Sequence, residues 1–483
     1  MSMTEVRTLV AAFARAVGSV LLIAVSLASV ASEAQTVSDA AGEVEFSKGV
    51  GFAQQPGQLP RTLGKGQTLY EGDRLTMADG STAIIKLTDG TRMTLRPNSE
   101  MVMNQYQYQA GSPKNNMVVQ LLRGGFRAIT GLIPKSNPDA AKIQTTTATV
   151  GIRGTDFDAR VCGPECKNES DQVKDTARPN AILASAKLVS AEGDIHATDI
   201  SQTKRILVEG GSVYPGDVID LGTHAKAVLV FRDESRITLG ANTHFKVESF
   251  VYDEKTPKEG NFVVSLVRGS LRALTGLVGK ANHRNVKFTT PTATIGIRGT
   301  GLDLDCSALE TESAKVPTKD DLALAASSFT ASCNVHTWLG TIEVSPIGQT
   351  MMHVLQAGQG LDVSRTAVRP TTVPTLEKMQ RPDTVPVKMQ QLFGSGGAGV
   401  SADEQGLFVF VREGHVEIKS SKETLQLGRG ETGFAGNNGS VGRPVNMPLF
   451  IQNDKTPMPN ATNLTLRSVV RDGGKSTKNQ CSK

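Results

Sequence analysis

Two strings in this 483-residue chain nearly coincide. Thr145–Thr155 reads TTTATVGIRGT and Thr290–Thr300 reads TPTATIGIRGT, identical at nine of eleven positions with an offset of 145. The same offset aligns LLRGGFRAITGL (Leu121–Leu132) with LVRGSLRALTGL (Leu266–Leu277). At an offset of 144, Gly72-Asp73 matches Gly216-Asp217, and KLTDGTRMTL (Lys86–Leu95) matches VFRDESRITL (Val230–Leu239). Collinear matches with one-residue slips mean that one unit is used twice, so any fold must be found within one copy and repeated.

Inside each copy the period is two. Ala83, Ile85 and Leu87 share one strand face, Asp89-Gly90 turns the chain, and Met93 and Leu95 continue on the return strand. Ala225, Ala227, Leu229 and Phe231 repeat the pattern. The Thr/Ala/Ile/Val mixture of TATVGI and TATIGI suits a strand. Helical periodicity is weak outside the N-terminal segment and two short stretches, Leu322–Ala326 and Leu376–Gln380. Aromatic residues are only 5%, with 48 glycines, so the core must come mainly from Val, Ile, Leu and Ala between glycine turns. An all-β protein is expected.

A smaller unit, Gly-x-Val/Ile followed by Leu-x-x-Gly, appears at Gly42, Gly193, Gly340 and Gly414. Its later halves begin at Leu63, Leu207, Leu355 and Leu425. LQAGQG (Leu355–Gly360) aligns with LQLGRG (Leu425–Gly430), so the C-terminal piece reads as a partial third copy. The organisation expected is a signal peptide over 1–34, β domain 1 over 35–166, and a linker over 167–185. β domain 2 follows over 186–363 with a loop at 307–332, then a Pro/Gly-rich linker over 364–400. A partial β repeat over 401–454 and a flexible tail over 455–483 complete the chain.

The N-terminus has the pattern of an export signal. Arg7 and Arg15 precede a charge-free run, Ala16–Ala31, and Ser32-Glu33-Ala34 places small residues before Gln35. The run is shorter than the ~20 residues that span a bilayer; an uncleaved anchor is the alternative. No transmembrane segment is expected in the mature chain. The net charge of +5 is too weak to imply nucleic acid. There are five cysteines. In an oxidising compartment Cys162 is expected to pair with Cys166 and Cys306 with Cys333, leaving Cys481. Cys333-Asn-Val-His336 is half of a zinc finger at most, so no metal site is expected.

These residues resemble the FecR domain family. The carriers are the Gly-Asp pairs, the strand-turn-strand after them, the Arg-Gly-x-x-Arg-Ala-x-Thr-Gly segments (Arg123–Gly131, Arg268–Gly276) and T-A-T-x-G-I-R-G-T. The resemblance covers about Val37–Cys162 and Ala186–Val363. It implies an all-β periplasmic module: two tandem FecR-like domains plus the partial C-terminal module. The family's namesake is a transmembrane regulator of an iron-uptake sigma factor. It carries a cytoplasmic anti-sigma segment and a membrane helix ahead of the domain, whereas here an export signal directly precedes the first copy.

The polar residues that repeat are arginines. Arg123 and Arg127 are four apart, so a regular strand puts them on one face. Arg153 lies between Ile152 and Gly154, and copy two supplies Arg268, Arg272 and Arg298. Arginine's planar fork suits a carboxylate or phosphate, making the set a candidate anion-binding site. The other reading is internal ion pairing, because Asp158 and Asp303, and Asp73 and Asp217, repeat at matched places. GSGGAG (Gly394–Gly399) fits a dinucleotide loop, but prolines precede it and strand-like LFVFV follows, so it reads as a linker. No nucleophile motif and no histidine ligand pair is present. The sequence therefore points to an exported, non-enzymatic sensor or scaffold without a cofactor. Its expected partner is an envelope or outer-membrane protein, with the periplasm as its location and secretion as the alternative. A binder of small anionic ligands is the second reading.

Overall fold

The computed structural model describes residues 39–137, 139–306, 332–372, 376–394 and 404–459. The export signal, Leu322–Ala326, the glycine run after Gly394 and Cys481 lie outside the described residues.

Alternation builds the strands. In Thr82–Leu87, Ala83, Ile85 and Leu87 are buried, and Asp89-Gly90 turns the chain into Arg92–Leu95, which pairs back antiparallel. Lys226–Phe231 and Arg236–Leu239 repeat the hairpin. Among the described residues two sheets of 15 strands result, and the strands of one have counterparts in the other.

In the first sheet the path runs Arg61–Thr62, Gly51–Gln54, Arg74–Met77, Glu100–Gln107, Asn116–Ile129, Ala141–Gln144, Thr149–Cys162, Gly406–Lys419, Thr432–Gly436, Val441–Gly442. In the second it runs Lys204–Ile206, Ile195–Thr198, Val218–Leu221, His244–Val251, Asn261–Leu274, Val286–Thr289, Ala293–Cys306, Ser332–Pro346, Gly360–Ser364, Val368–Thr371. The pairing is antiparallel except at the short strands Ala141–Gln144 and Val286–Thr289, which run parallel to the long strands Asn116–Ile129 and Asn261–Leu274. A parallel pair needs a crossover. The short helices Ile133–Ser136 and Leu277–Ala281 lie in these two crossovers.

The last strands of the two sheets arrive by different routes. In the second sheet Ala293–Cys306 pairs with Ser332–Pro346, the next strand among the described residues. In the first, Thr149–Cys162 pairs with Gly406–Lys419, and all strands of the second sheet lie between these two in sequence. The second β unit is thus inserted into the first. The cores agree: Leu407, Val409, Val411, Val416 and Ile418 are buried in one cluster with Ala83, Phe126 and Phe157, while the second cluster draws only on 186–363. The strands from Gly406 to Gly442, within the segment expected as a partial β repeat over 401–454, close the first sheet.

Two alignments read from the sequence shift. Leu355 faces Ile342 as Leu427 faces Val416, so the counterpart of Leu355 is Leu427, two residues beyond Leu425. Gly42 pairs with Leu87 as Ala186 pairs with Phe231, so Gly42 corresponds to Ala186, not to Gly193. A slip of two keeps every side chain on its face, which is why patterning alone did not detect the first. Cys162 is bonded to Cys166 and Cys306 to Cys333. Pro164–Asp171 is helical inside a span read partly as linker, and residues 376–379 form a turn, not a helix.

Candidate functional site

The six arginines do not converge. Each long strand is interrupted at a glycine with positive φ, Gly124 at 67° and Gly269 at 83°, a conformation that favours glycine. The strand before Gly124 pairs with Glu100–Gln107, and the strand after it pairs with Arg92–Leu95 and Thr149–Cys162. Arg123 and Arg127 therefore fall on either side of a break and do not share a face. Arg123 is exposed beside Glu100 at 3.7 Å, whereas Arg127 is buried. Arg268 is exposed and Arg272 buried in the same way.

The buried pair are structural hubs. Arg127 Nε lies 2.7 Å from Asp158, whose other oxygen accepts from Arg412 Nε at 2.8 Å. The Arg127 guanidinium also donates to the carbonyls of Asp454, at 3.0 Å, and Thr456. Arg272 Nε lies 3.1 Å from Asp303, and Arg272 Nη1 donates to the carbonyls of Leu376 and Met379, both at 3.0 Å. The single tryptophan, Trp338, has Arg272 and Arg381 over its ring, 5.5 and 4.6 Å from the centroid. Burial pushes the Arg127 guanidinium down from its ordinary range, against the pull of Asp158. Burial pushes the Asp303 carboxyl up to about 6, against Arg272.

The matched aspartates of the Gly-Asp turns are held locally. Asp73 is fully buried, 2.5 Å from Arg61, and accepts the Tyr70 N–H at 2.8 Å. Asp217 pairs with Arg205 and accepts the Tyr214 N–H at 2.8 Å. Sequence reasoning missed Arg61 and Arg205, although they are 144 apart, the repeat offset. Arg412 carried no such signal, being 254 residues from the aspartate that it meets.

Arg153 and Arg298 differ from both groups and from each other. Arg298 is exposed and pairs with Glu343 at 2.6 Å. Arg153 stands at the joint between the sheets, donating to the Glu209 carbonyl at 2.5 Å and lying 3.3 Å from Asp139. It lines a cleft of about 440 Å³ with Lys135, Asp156 and His415 from the first sheet's side and Lys204 and Tyr214 from the second's. Burial raises the Asp156 carboxyl to about 6, opposed by Arg412. Burial, with Lys187 and Arg153 nearby, holds the His415 imidazole well below its ordinary value, so it is neutral. Behind the cleft, Lys187, Glu431 and Arg443 form a fully buried cluster, with Glu431 3.7 Å from Lys187 and 3.0 Å from Arg443. Burial lowers the Lys187 ammonium to about 8 despite Glu431. Burial would raise Glu431, but the two cations hold it below the usual carboxylate range.

The family description "FecR protein" matches residues 73–174 and 217–316, one stretch in each sheet. Two parts of this chain are FecR domains. Both matched stretches contain the arginine strands, the crossover and the GIRGT strand of their sheet, so the FecR repeat and the structural repeat coincide. Crystal structures of a candidate anti-sigma factor from Parabacteroides distasonis, at 1.65 and 2.50 Å resolution, match at 13% identity with a TM-score of 0.24. The match covers 33% of this chain and 62% of that one, so this chain spans less than two thirds of the protein it resembles. No curated protein matches. Among the described residues no helix is long and apolar enough to cross a membrane.

Proposed function

We propose that this chain is an exported FecR-domain protein of the periplasm that binds a partner protein or envelope component, as a sensor or scaffold, without catalysis. One observation carries the reading: the arginines of the FecR strands that are buried, Arg127 and Arg272, are taken up by Asp158 and Asp303 and by backbone carbonyls. Their role is to fasten a β framework, which leaves its surfaces for recognition. Crosslinking in intact cells, followed by fractionation and N-terminal sequencing, tests it. The expected result is a chain beginning at Gln35, recovered from the envelope and joined to an envelope protein. Hydrolytic turnover that a single Asp substitution abolishes would sink the proposal.

Arg153 favours a second reading, a small anionic ligand held in the cleft at the joint. Thermal shifts with organic acids and inorganic phosphate decide it. A shift lost in Arg153→Ala supports it, and a shift that persists in the Arg153→Ala/Arg298→Ala double variant rejects it.

A further inference from the structure

The two FecR sheets meet at a joint whose repeat-related twin is bare among the described residues. At the joint, the edge strand Thr424–Leu427 of the first sheet and the turn after it lie on Lys187 and Gly210–Tyr214 of the second. Lys187 Nζ donates to the Gln426 carbonyl at 3.0 Å, and the Tyr214 hydroxyl accepts the Arg429 N–H at 2.6 Å. A Cβ on Gly428 would overlap Ser212 and Tyr214, so the surfaces are in close contact.

The second sheet has its own version of that edge, His353–Gln356. The registers place Val354 where the first sheet has Gln426. Matching backbone bonds, Gly358 N–H to Thr337 and Gly430 N–H to Val411, place Gln359 where the first sheet has Glu431. Here the edge is open: Val354 is 55% exposed and Met351 66%, while Glu431 is fully buried. The first sheet in turn has its own version of the receiving face. Gly66 N–H bonds to the Val44 carbonyl as Gly210 N–H bonds to Leu188, so Glu43 stands for Lys187 and Gly66–Tyr70 for Gly210–Tyr214. Glu43 and Gly66 are exposed and Tyr70 is half-buried, whereas Lys187, Gly210 and Tyr214 are buried.

Among the described residues, each chain therefore carries one unfilled edge and one unfilled face of the kind already joined within it. We infer that a second copy of this chain fills them, the His353–Gly358 edge of one copy docking on the Glu43/Gly66–Tyr70 face of the next. The charges agree. Where Lys187 meets Glu431 inside the chain, Glu43 would meet Gln359 between chains. Had only the lysine changed, two carboxylates would face each other, which disfavours association. The exposed Ile347, Met351, Met352 and Val354 beside the edge supply apolar area. Such a contact is heterologous, so association continues past a dimer into a ring or filament. The inference stands on the joint alone and does not depend on the sensor or ligand readings.

Sedimentation velocity of the purified full chain over a wide concentration range tests it, with Val354→Glu blocking the edge and Thr68→Arg blocking the face. Val354 is exposed and Thr68 half-buried, and circular dichroism and the urea midpoint check folding. The wild type is expected to grow beyond dimers with concentration. Each variant alone should stay monomeric, and an equimolar mixture should stop at dimers, because one intact edge then meets one intact face. A wild type that stays monomeric, or association that Val354→Glu leaves unchanged, overturns the proposal; the first outcome includes the case in which a different protein takes the edge.

Discussion

Asp158 is ion-paired with two guanidinium groups in a nearly dry setting, so the cost of removing one depends on what remains. Arg127→Ala leaves Arg412 beside Asp158 but strips the carbonyls of Asp454 and Thr456 of their donor. Arg272→Ala leaves Asp303 without its guanidinium partner. Breaking a buried pair from one side costs about 3–5 kcal/mol. Urea unfolding should put Arg272→Ala in that range and Arg127→Ala toward its lower end. Exposed Arg123→Ala should stay within about 0.5 kcal/mol of wild type. Equal effects at Arg123 and Arg127 would contradict the division between hub and surface.

His415 gives a pH dependence whose sign follows from burial. The folded chain holds it neutral, while the unfolded chain takes up a proton below the ordinary value of 6.5. Unfolding then binds a proton that the fold refuses, so stability falls as pH drops below about 6.5. Asp156 works the other way: its raised value of about 6 makes the fold bind the proton first, adding stability as pH falls toward 3.8. The comparison that isolates the histidine is wild type against His415→Asn. The wild type should lose about 1–2 kcal/mol more than the variant between pH 6.5 and 5. Parallel pH profiles would show that His415 is not buried as described. The sequence displayed His415 only as one scattered histidine, because what makes it unusual is its burial and then the nearness of Lys187 and Arg153, both remote in sequence.

At the scale of the element, the FecR hairpin and the crossover are locked by a repeated aspartate. Asp89 accepts from Thr91 N–H and Oγ1, both at 2.9 Å, and Thr91 Oγ1 accepts the Gly131 N–H at 2.9 Å. Asp233, Ser235 and Gly276 repeat the arrangement. The glycines are needed for closeness: a Cβ at Gly131 would overlap the Asp89 carbonyl oxygen, and one at Gly276 the Asp233 carbonyl oxygen. Gly131→Ala and Gly276→Ala should each destabilise by about 1–3 kcal/mol, as overpacking against fixed backbone does. Gly90→Ala, with open space around it, should lose less contact energy but still bear the strain of φ 86°. A neutral Gly276→Ala would contradict the close approach. Much of this element was legible, since Asp89-Gly90 and the alternation on either side mark a hairpin. The break at Gly124 that separates Arg123 from Arg127 was not, because strand periodicity assumes an unbroken pleat.

At the scale of the molecule, the described residues form one β unit inserted into another, each holding one FecR-matched stretch. The sequence carried both halves of that fact, the duplicated GIRGT segment and the resemblance between the units at Gly340 and Gly414. It could not say which sheet the last unit joins, because local alternation is the same whether a strand pairs with a near neighbour or with one about 250 residues earlier. The buried residues Leu407, Val409 and Val411 decide that it is the first. The two domains then share the Lys187–Glu431–Arg443 cluster, which ties the inserted domain to the late strands of its host.

Nesting is tested most directly by hydrogen exchange on a chain ended after residue 394, read peptide by peptide against the full chain. Loss of Gly406–Lys419 and Thr432–Gly436 should strip protection from Thr149–Cys162 and the rest of the first sheet, while Asn261–Leu274 and Ala293–Cys306 keep theirs. If the first sheet stays protected without its C-terminal strands, the second domain is not inserted into the first and the account fails.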